Sequence, residues 1–361
     1  MIDENILYFP ALHTKQAELA GLKKVRQDTM ARVWPSLYLT RHNRQKTSAE
    51  IREKIIESTH GQCFFLGLPD NIAALPEDSS ELVSPDKNYR NWKNFVASFD
   101  KARPLLLSPS GITLRQTVMQ ARALIDEFGL LGMRVKTDED LVRAEAVLAA
   151  VDDPEAFYPI LDAGHLDCKT SPVAQYQMLT SWINQLRSEY GGIDLIMQSS
   201  CFPRSLGTFG DSHGSIENRD RELHSMLGGY RTIRFGDFGS VNNNPTTLQA
   251  RGFVPRIDVC GPLSWEYARF RNRNGGYVRC AQEAMNFDDF ESADDGIWAK
   301  EIIQKMAESP DPLPGFGSPA KWIAIRVSFH IEVQTLSLSE QWMAESTEDY
   351  EEEIDDDFEW E

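Results

Sequence analysis

The amino-acid sequence predicts an α/β protein of eight consecutive strand–helix units that close into a TIM-like βα barrel. Apolar, β-prone runs begin at intervals of 26 to 42 residues, and amphipathic stretches separate them. A strand–helix unit of a barrel occupies about 31 residues, because roughly 250 residues are divided among eight units. This spacing favours a barrel. A doubly wound open sheet is the alternative, because the sequence does not show whether the sheet closes.

The predicted strands share an apolar composition and alternate with helices, which indicates parallel strands joined by right-handed crossovers. They begin near Ile6, Val33, Gln62, Pro104, Leu130, Phe157, Ile193 and Thr232. The eighth run, TIRFGDFGSV, ends in Gly-Asp-Phe-Gly-Ser, where the glycines leave backbone amides open to a ligand. Its loop would lie where barrels commonly bind phosphate.

The helices are predicted from their start and stop signals. Thr47 precedes an amphipathic segment, Ser110 precedes a longer one, and Gly129 closes the latter. Thr137 and Asp140 resemble a capping box, in which each residue satisfies a backbone amide of the first helical turn. These signals fall between the predicted strands, as a repeated strand–helix pattern requires.

The pattern changes after residue 241. Residues 253–260 and 321–336 are predicted as strands, and residues 295–308 as a helix. We therefore predict three regions: a βα barrel over residues 1–241, a C-terminal α+β extension packed on it over 242–339, and an acidic disordered tail over 340–361.

Charge and composition narrow the classes of function. The net charge is −18, and the tail holds 12 acidic residues without Lys or Arg, which leaves −6 for the other residues. A strongly basic, non-specific nucleic-acid surface is not evident. No apolar window has membrane-spanning length, and the acidic start lacks the basic segment of a secretory signal. The five scattered cysteines indicate reduced thiols, so we expect a cytoplasmic protein without membrane contacts.

In α/β barrels, functional side chains lie at the C-terminal ends of the strands. That rule selects many cations and hydroxyls and few carboxylates, a set that suits an anionic ligand such as a phosphate or nucleotide. The wider set is His13, Lys15, Arg41, His42, Ser108, Ser110, Arg134, Lys136, Asp162, His165, Gln198, Ser199, Ser200, Arg204, Asp237 and Ser240. The predicted ligand-binding residues are Lys15, Arg134, Asp162, Ser200, Arg204, Gly236, Asp237, Gly239 and Ser240.

Each candidate also has a purely structural interpretation. The Gly-Asp-Phe-Gly-Ser loop is a phosphate cradle or only a tight turn, and Asp237 is a base, a metal ligand or a residue that holds its own loop. Asp162 and His165 lack the spacing of a metal site, so no metal is predicted there. Cys201 is interpreted as a buried small residue, and His330 as a hydrogen-bonded core histidine.

Several segments together resemble the beta protein family, a bacterial family named for a phage protein. The first is YFPALHTKQAE, the second is QSSCFPRSL with the following NRDREL, the third is FGDFGSVNNNP, and the last is WIAIRVSFHIEV. The resemblance extends over about residues 6 to 335, and His13, Phe238 and Phe329 depart from the family pattern. It implies a role in phage–host conflict, but no reaction and no cofactor.

Three hypotheses follow from the sequence. In the first, an antiviral defence component binds an anionic ligand or a protein partner, and the acidic tail is a second contact for the partner. A nucleotide or a nucleic acid is an alternative ligand under this first hypothesis. The second is a metal-dependent phosphodiesterase or nuclease using Asp162 and Asp237, which the shortage of paired carboxylates disfavours. The third is a structural subunit of a larger complex.

Overall fold

The computed structural model describes residues 1–41, 47–109, 111–203, 212–243 and 253–355, and side chains up to residue 344 except Ile72. Within these ranges the chain is a mixed α/β protein with two parallel sheets and one antiparallel sheet. None of the helices in the described ranges combines the length and apolarity needed to cross a lipid bilayer.

Two parallel sheets come from the first 200 residues. The first, in the order β1-β2-β3-β4, contains β1 (Ala11–His13), β2 (Ser36–Tyr38), β3 (Phe64–Gly67) and β4 (Ala102–Pro104). The second, in the order β5-β6-β7, contains β5 (Leu131–Val135), β6 (Phe157–His165) and β7 (Ile196–Ser200). The antiparallel sheet, β8-β10-β9, contains β8 (His213–Glu217), β9 (Arg256–Cys260) and β10 (Ser264–Arg269).

The helices of the described ranges alternate with the parallel strands and then cluster in the C-terminal third. Those of the N-terminal part are α1 (Gln16–Leu22), α2 (Gln27–Met30), α3 (Ser48–Ser58), α4 (Arg90–Ala97), α5 (Leu114–Phe128), α6 (Asp138–Leu148), α7 (Val173–Glu189) and α8 (Arg219–Met226). The others are α9 (Gly276–Ala284), α10 (Asp288–Ser292), α11 (Trp298–Glu308) and α12 (Pro319–Asp355).

Seven of the eight predicted strands are confirmed as parallel strands, and the eighth position is not a regular strand. There, Arg234, Phe235 and Asp237 make isolated parallel bridges to Ile196, Tyr8 and Ser199, respectively. Gly236 lies between them, and a Cβ at this position would come within 2.7 Å of the carbonyl oxygens of Phe9 and Met197. Within the described ranges, eight regular strands in one sheet are therefore not seen, although a further bridge between Leu105 and Gly132 links the two parallel sheets.

Local capping explains where the helices begin. Thr47 and Glu50 form a capping box at α3, and Thr137 accepts a hydrogen bond from the backbone of Asp140 at α6. At α5 the N-cap is Thr113, three residues after the predicted Ser110, which lies outside the described residues. Gly129 closes α5 in the left-handed conformation, with a φ of 68°, as the sequence predicts.

The predicted strand over residues 321–336 is wrong, because this segment forms part of α12. Its alternating apolar residues fit a strand, but residues 322–335 are buried on nearly all sides of the helix, so the polar residues between the apolar ones are buried as well. Helix α12 packs against α1, α11 and β9. It approaches α1 at Gly21, where a Cβ would lie 2.6 Å from the carbonyl oxygen of Ala324.

Helix α12 continues through Asp355, into the acidic segment that starts at residue 340. Residues 356–361 of the predicted tail lie outside the described residues. One hydrophobic core includes residues from both the predicted barrel region and the predicted extension, such as Tyr8, Trp265 and Phe329. The boundaries at residues 241 and 339 stay a prediction.

Candidate functional site

Three of the predicted site residues, Arg134, Asp162 and Asp237, belong to two separate groups of interacting side chains. The first group, here called the buried tie, consists of Tyr8, Asp237 and His330. The second group, here called the rim cluster, consists of Asp70, Arg134, Lys136 and Asp162. Asp237 and the following Phe238 point in opposite directions, as neighbours in an extended chain do, so this segment contributes to both sides.

The buried tie connects the segment around Asp237, which follows α8 in the chain, to α12. Asp237 accepts hydrogen bonds from the hydroxyl of Tyr8, from Nε2 of His330 at 2.7 Å and from the amide of Gly239 at 2.7 Å. The residue is 1% exposed. The ring of Trp265 stacks on His330 with the centroids 5.5 Å apart. The interpretation of His330 as a hydrogen-bonded core histidine is therefore confirmed, and its partner is Asp237.

The electrostatics of the buried tie favour an ionised Asp237. Burial alone would raise the pKa of Asp237, but the charge of His330 and the hydrogen bonds from His330, Tyr8 and Gly239 outweigh it and lower that pKa. Burial and the neighbouring Asp237 raise the pKa of Tyr8 well above its ordinary value. Tyr8 therefore keeps its proton and donates a hydrogen bond to a carboxylate that remains charged.

A second buried carboxylate, Asp220 at the start of α8, lies beside the tie. It accepts hydrogen bonds from Ser199 Oγ at 2.6 Å and from the amide of Cys201 at 3.0 Å. Burial and the charge of Asp237 raise the pKa of Asp220 to about 6. Burial and Asp220 also raise the pKa of the Cys201 thiol well above its ordinary value, which leaves it a poor nucleophile. The interpretation of Cys201 as a buried small residue is confirmed.

The rim cluster lies at the C-terminal ends of β5 and β6. Strand register places Arg134 opposite Ile160, two residues before Asp162. The Nε of Arg134 lies 3.1 Å from Oδ2 of Asp162, and its Nη2 contacts the same oxygen. Lys136 lies two residues after Arg134, on the same face of the extended chain. Its Nζ is 2.5 Å from Oδ1 of Asp70. Asp70 also lies 3.5 Å from Nη1 of Arg134.

Aromatic rings support the rim cluster from below. The guanidinium of Arg134 lies 4.7 Å from the ring centroid of Tyr38, which in turn stacks on Phe238 at 6.2 Å. His13 packs 6.1 Å from both rings. Burial and the charge of Lys15 lower the pKa of His13 to about 3, so its imidazole is neutral at pH 7. These rings are buried and fix the cluster rather than offer a free surface.

The other predicted ligand-binding residues occupy separate positions. Lys15 is the partly exposed N-cap of α1, and Ser200 donates to the carbonyl of Val241 at 3.1 Å. Gly239 and Ser240 both adopt positive φ, at 54° and 61°. Arg204 lies outside the described residues. The structure thus brings Arg134 and Asp162 together and turns Asp237 towards α12; ligand binding by these residues stays a prediction.

Sequence reasoning missed Asp70, Asp220 and the role of Tyr8. Asp70 follows β3 directly after Pro69, so the strand-end rule could have selected it. Tyr8 and Asp220 lie in sequence segments already singled out, but only the fold shows that they reach Asp237. Among the described residues, no group of three or more His, Cys, Asp or Glu side chains is arranged to hold a metal ion.

Comparison with known proteins confirms the resemblance to the beta protein family. The model of the Beta protein family matches residues 8–335. The chain is also 28% identical over 343 residues to a protein of Enterobacteria phage P4 named "Protein beta". That alignment covers 93% of this chain and 95% of the phage protein.

Proposed function

The chain belongs to the Beta protein family, and from this premise we propose that it binds a phosphate-bearing anion at the rim cluster. The observation that carries the proposal is the pair of cations, Arg134 and Lys136, held at the end of parallel strands. Arg134 is preorganised by Asp162 on one side and by the ring of Tyr38 on another. Fixed guanidinium groups suit the oxygens of phosphate, because they donate several hydrogen bonds in one plane.

The local charge supports an anionic ligand in an otherwise acidic protein. Four cations lie within or after the parallel strands: Lys15 follows β1, Arg41 follows β2, Arg134 lies within β5, and Lys136 follows β5. The carboxylates that pair with Arg134 and Lys136 are Asp70 and Asp162. The rim cluster itself pairs two cations with two carboxylates, and Lys15 and Arg41 add two cations after β1 and β2, in a chain that carries −6 outside residues 340–361. A positive site in a negative protein attracts an anion only at short range, where salt screens least.

We also propose that the parallel strands close into the eight-position barrel. The bridge between Leu105 and Gly132 supports contact between β4 and β5. The bridges of Arg234 and Phe235 support contact from β7 to the segment of Tyr8, which precedes β1. A closed ring would place the ends of β1, β2, β5 and β6 on one face, where barrel proteins bind their ligands.

Titration of the purified chain with inorganic phosphate, pyrophosphate and a nucleotide panel tests the ligand proposal. We expect pyrophosphate to bind in calorimetry, and Lys136→Gln to weaken that binding about tenfold, the loss of one charge-assisted contact. Lys54→Gln is the matched control, because Lys54 also pairs with an exposed carboxylate, Glu57, but lies on α3. Absence of binding by the unaltered chain, or equal losses in both variants, would refute the proposal.

The biological setting that we propose is phage–host conflict, with antiviral defence as its outcome. The relationship to a phage P4 protein supports this setting. Efficiency of plating on cells that express the chain, with and without the genes that flank it, measures protection directly. Protection that is abolished by Lys136→Gln but retained with Lys54→Gln would connect the rim cluster to defence, and unchanged plating under all conditions would contradict the setting.

A protein partner at the acidic segment is the second contact that we propose. Residues 340–361 hold 12 acidic residues and neither Lys nor Arg, which suits a basic partner surface. Truncation after residue 344 removes most of this charge and leaves the buried part of α12 intact. Loss of a co-purifying protein upon truncation supports the contact, whereas its retention contradicts it.

The phosphodiesterase alternative stays a prediction, since nothing among the described residues favours it.

A further inference from the structure

Asp70 lies in the loop after β3 and bridges the two cations of the rim cluster. Its Oδ1 is 2.5 Å from Nζ of Lys136, and both of its carboxylate oxygens are 3.5 Å from Nη1 of Arg134. The side chain of Asp70 is 59% exposed. The carboxylate therefore occupies the solvent-facing side of the cations, which is the side that an incoming anion would reach.

The two carboxylates on Arg134 differ in how firmly they hold it. Asp162 is 2% exposed and receives two hydrogen bonds from the guanidinium, so it is fixed within the fold. Asp70 makes only long contacts to Arg134, and its contact with Lys136 is open to solvent. Exposed ion pairs of this kind contribute little free energy, so Asp70 can leave while Asp162 stays.

Asp70 is ionised under neutral conditions and is therefore a true competitor for an anion. Burial alone would raise the pKa of Asp70, but the charges of Arg134 and Lys136 outweigh it and lower that pKa. A tethered carboxylate competes at high effective concentration, because it never diffuses away from the site. A free monocarboxylate gains no charge advantage over Asp70, whereas a phosphoryl group carries about −1.5 to −2 at pH 7.

We propose that Asp70 is an internal anion that covers the rim cluster in the ligand-free chain, so that the site selects multiply charged phosphoryl ligands able to displace it. This inference rests on the proposed function and adds the ligand class and the means of selection. On displacement, Arg134 keeps Asp162 and offers Nη1 to the ligand, while Lys136 exchanges one partner for another. Both exchanges conserve the number of charge-assisted contacts and add charge on the ligand side.

Calorimetric titration of the full chain with pyrophosphate and with acetate, at equal ionic strength, tests this inference in the unaltered chain and two variants. We expect the unaltered chain to bind pyrophosphate but not millimolar acetate. Asp70→Asn removes the competitor and should tighten pyrophosphate binding about threefold to tenfold, since the competent form no longer has to be uncovered. Glu57→Gln is the matched control: Glu57 is an exposed carboxylate that bridges Lys23 and Lys54 away from the rim, and its loss should not change binding.

The outcomes separate this inference from the proposed function. Tighter binding in Asp70→Asn, with Glu57→Gln unchanged, supports the internal anion. If pyrophosphate binds, depends on Lys136, and is unaffected or weakened by Asp70→Asn, then the inference is overturned and the proposed function stands. If neither the unaltered chain nor Asp70→Asn binds pyrophosphate, both are overturned. Binding of acetate as tight as that of pyrophosphate would refute the selection for multiply charged ligands.

Discussion

The buried tie and the rim cluster both pair a carboxylate with a cationic or ionisable partner, but at opposite levels of exposure. Asp237 is 1% exposed and shares its oxygens between α12, Tyr8 and its own loop. Asp70 is 59% exposed and covers two cations that solvent reaches. A buried charged group left without its partner lowers the free energy of unfolding by several kcal/mol, whereas an exposed ion pair exchanges partners with little change in free energy. The same chemistry thus serves assembly on one side and proposed ligand exchange on the other.

The largest expected effect comes from removing the carboxylate of the buried tie. Asp237→Ala leaves Tyr8 and His330 buried without their acceptor, and we expect a loss of about 3–5 kcal/mol in the free energy of unfolding. Asp70→Ala should cost about 0–1 kcal/mol, because Lys136 returns to solvent. Urea unfolding of both variants measures the difference. Equal losses would remove the distinction between the two regions.

A second, smaller effect on the free energy of unfolding is expected from Arg134 and Asp162, the less exposed pair of the rim cluster. Arg134→Gln leaves Asp162, at 2% exposure, without its guanidinium, and we expect a loss of about 2–3 kcal/mol. Adding Asp162→Asn should recover most of that stability, because the buried charge is removed with its partner. The double variant should still not bind pyrophosphate. Recovery of binding in the double variant would show that Arg134 does not contact the ligand.

A buried histidine on each side, His224 near the buried tie and His13 near the rim cluster, makes stability depend on pH. Burial lowers the pKa of His224, which packs on Phe235 beside the buried tie, to about 3 from an ordinary 6.5. The unfolded chain then binds more protons between these values, so stability is full above about pH 6.5 and falls as the pH is lowered towards 3. At pH 5 the cost from His224 is about 2 kcal/mol.

His13, on the rim side, has the same shift, so each histidine can be tested against the other. His224→Gln should remove its share of the acid-induced loss, measured by urea unfolding at pH 7 and pH 5, and leave that of His13. The neighbouring Glu18 acts in the opposite sense: burial raises its pKa to about 7 from 4.5, so its contribution falls as the pH rises through that window. An unchanged pH profile in His224→Gln would contradict the assignment.

Binding of an anion at the rim cluster should change the pKa of only one of these two histidines. The charges of Lys15, Arg134 and Asp70 all act on His13, so an anion at the rim cluster should raise the pKa of His13. His224 belongs to the buried layer, and its pKa should stay as it is. Titration of both imidazole resonances by NMR, with and without pyrophosphate, measures this. A shift at both histidines would indicate a global change instead of a local anion.

The sequence predicted elements better than side-chain partners. Strand positions and caps such as Thr137 and Gly129 depend on local spacing, and the structure confirms them. Residues 321–336 could not be assigned from alternation, because the polar residues between the apolar ones, such as Ser328 and His330, are also buried, so the alternation does not mark an exposed face of a strand. Asp237 was selected as a strand-end residue, yet which face it presents depends on one residue of register. Its partner His330 is 93 residues away, and no local pattern indicates that contact.

The smallest expected effect on stability belongs to Lys136, and it is the sharpest test of the comparison. Lys136 is 38% exposed and pairs with an exposed carboxylate, so Lys136→Gln should change the free energy of unfolding by about 0–1 kcal/mol. Lys54→Gln, a comparable lysine paired with Glu57, should do the same. The two variants then differ only in pyrophosphate affinity and in its decline with added salt. A region that is nearly silent in unfolding but decisive in binding is what a ligand-exchange surface requires, and a large unfolding effect of Lys136→Gln would instead assign the rim cluster to the scaffold.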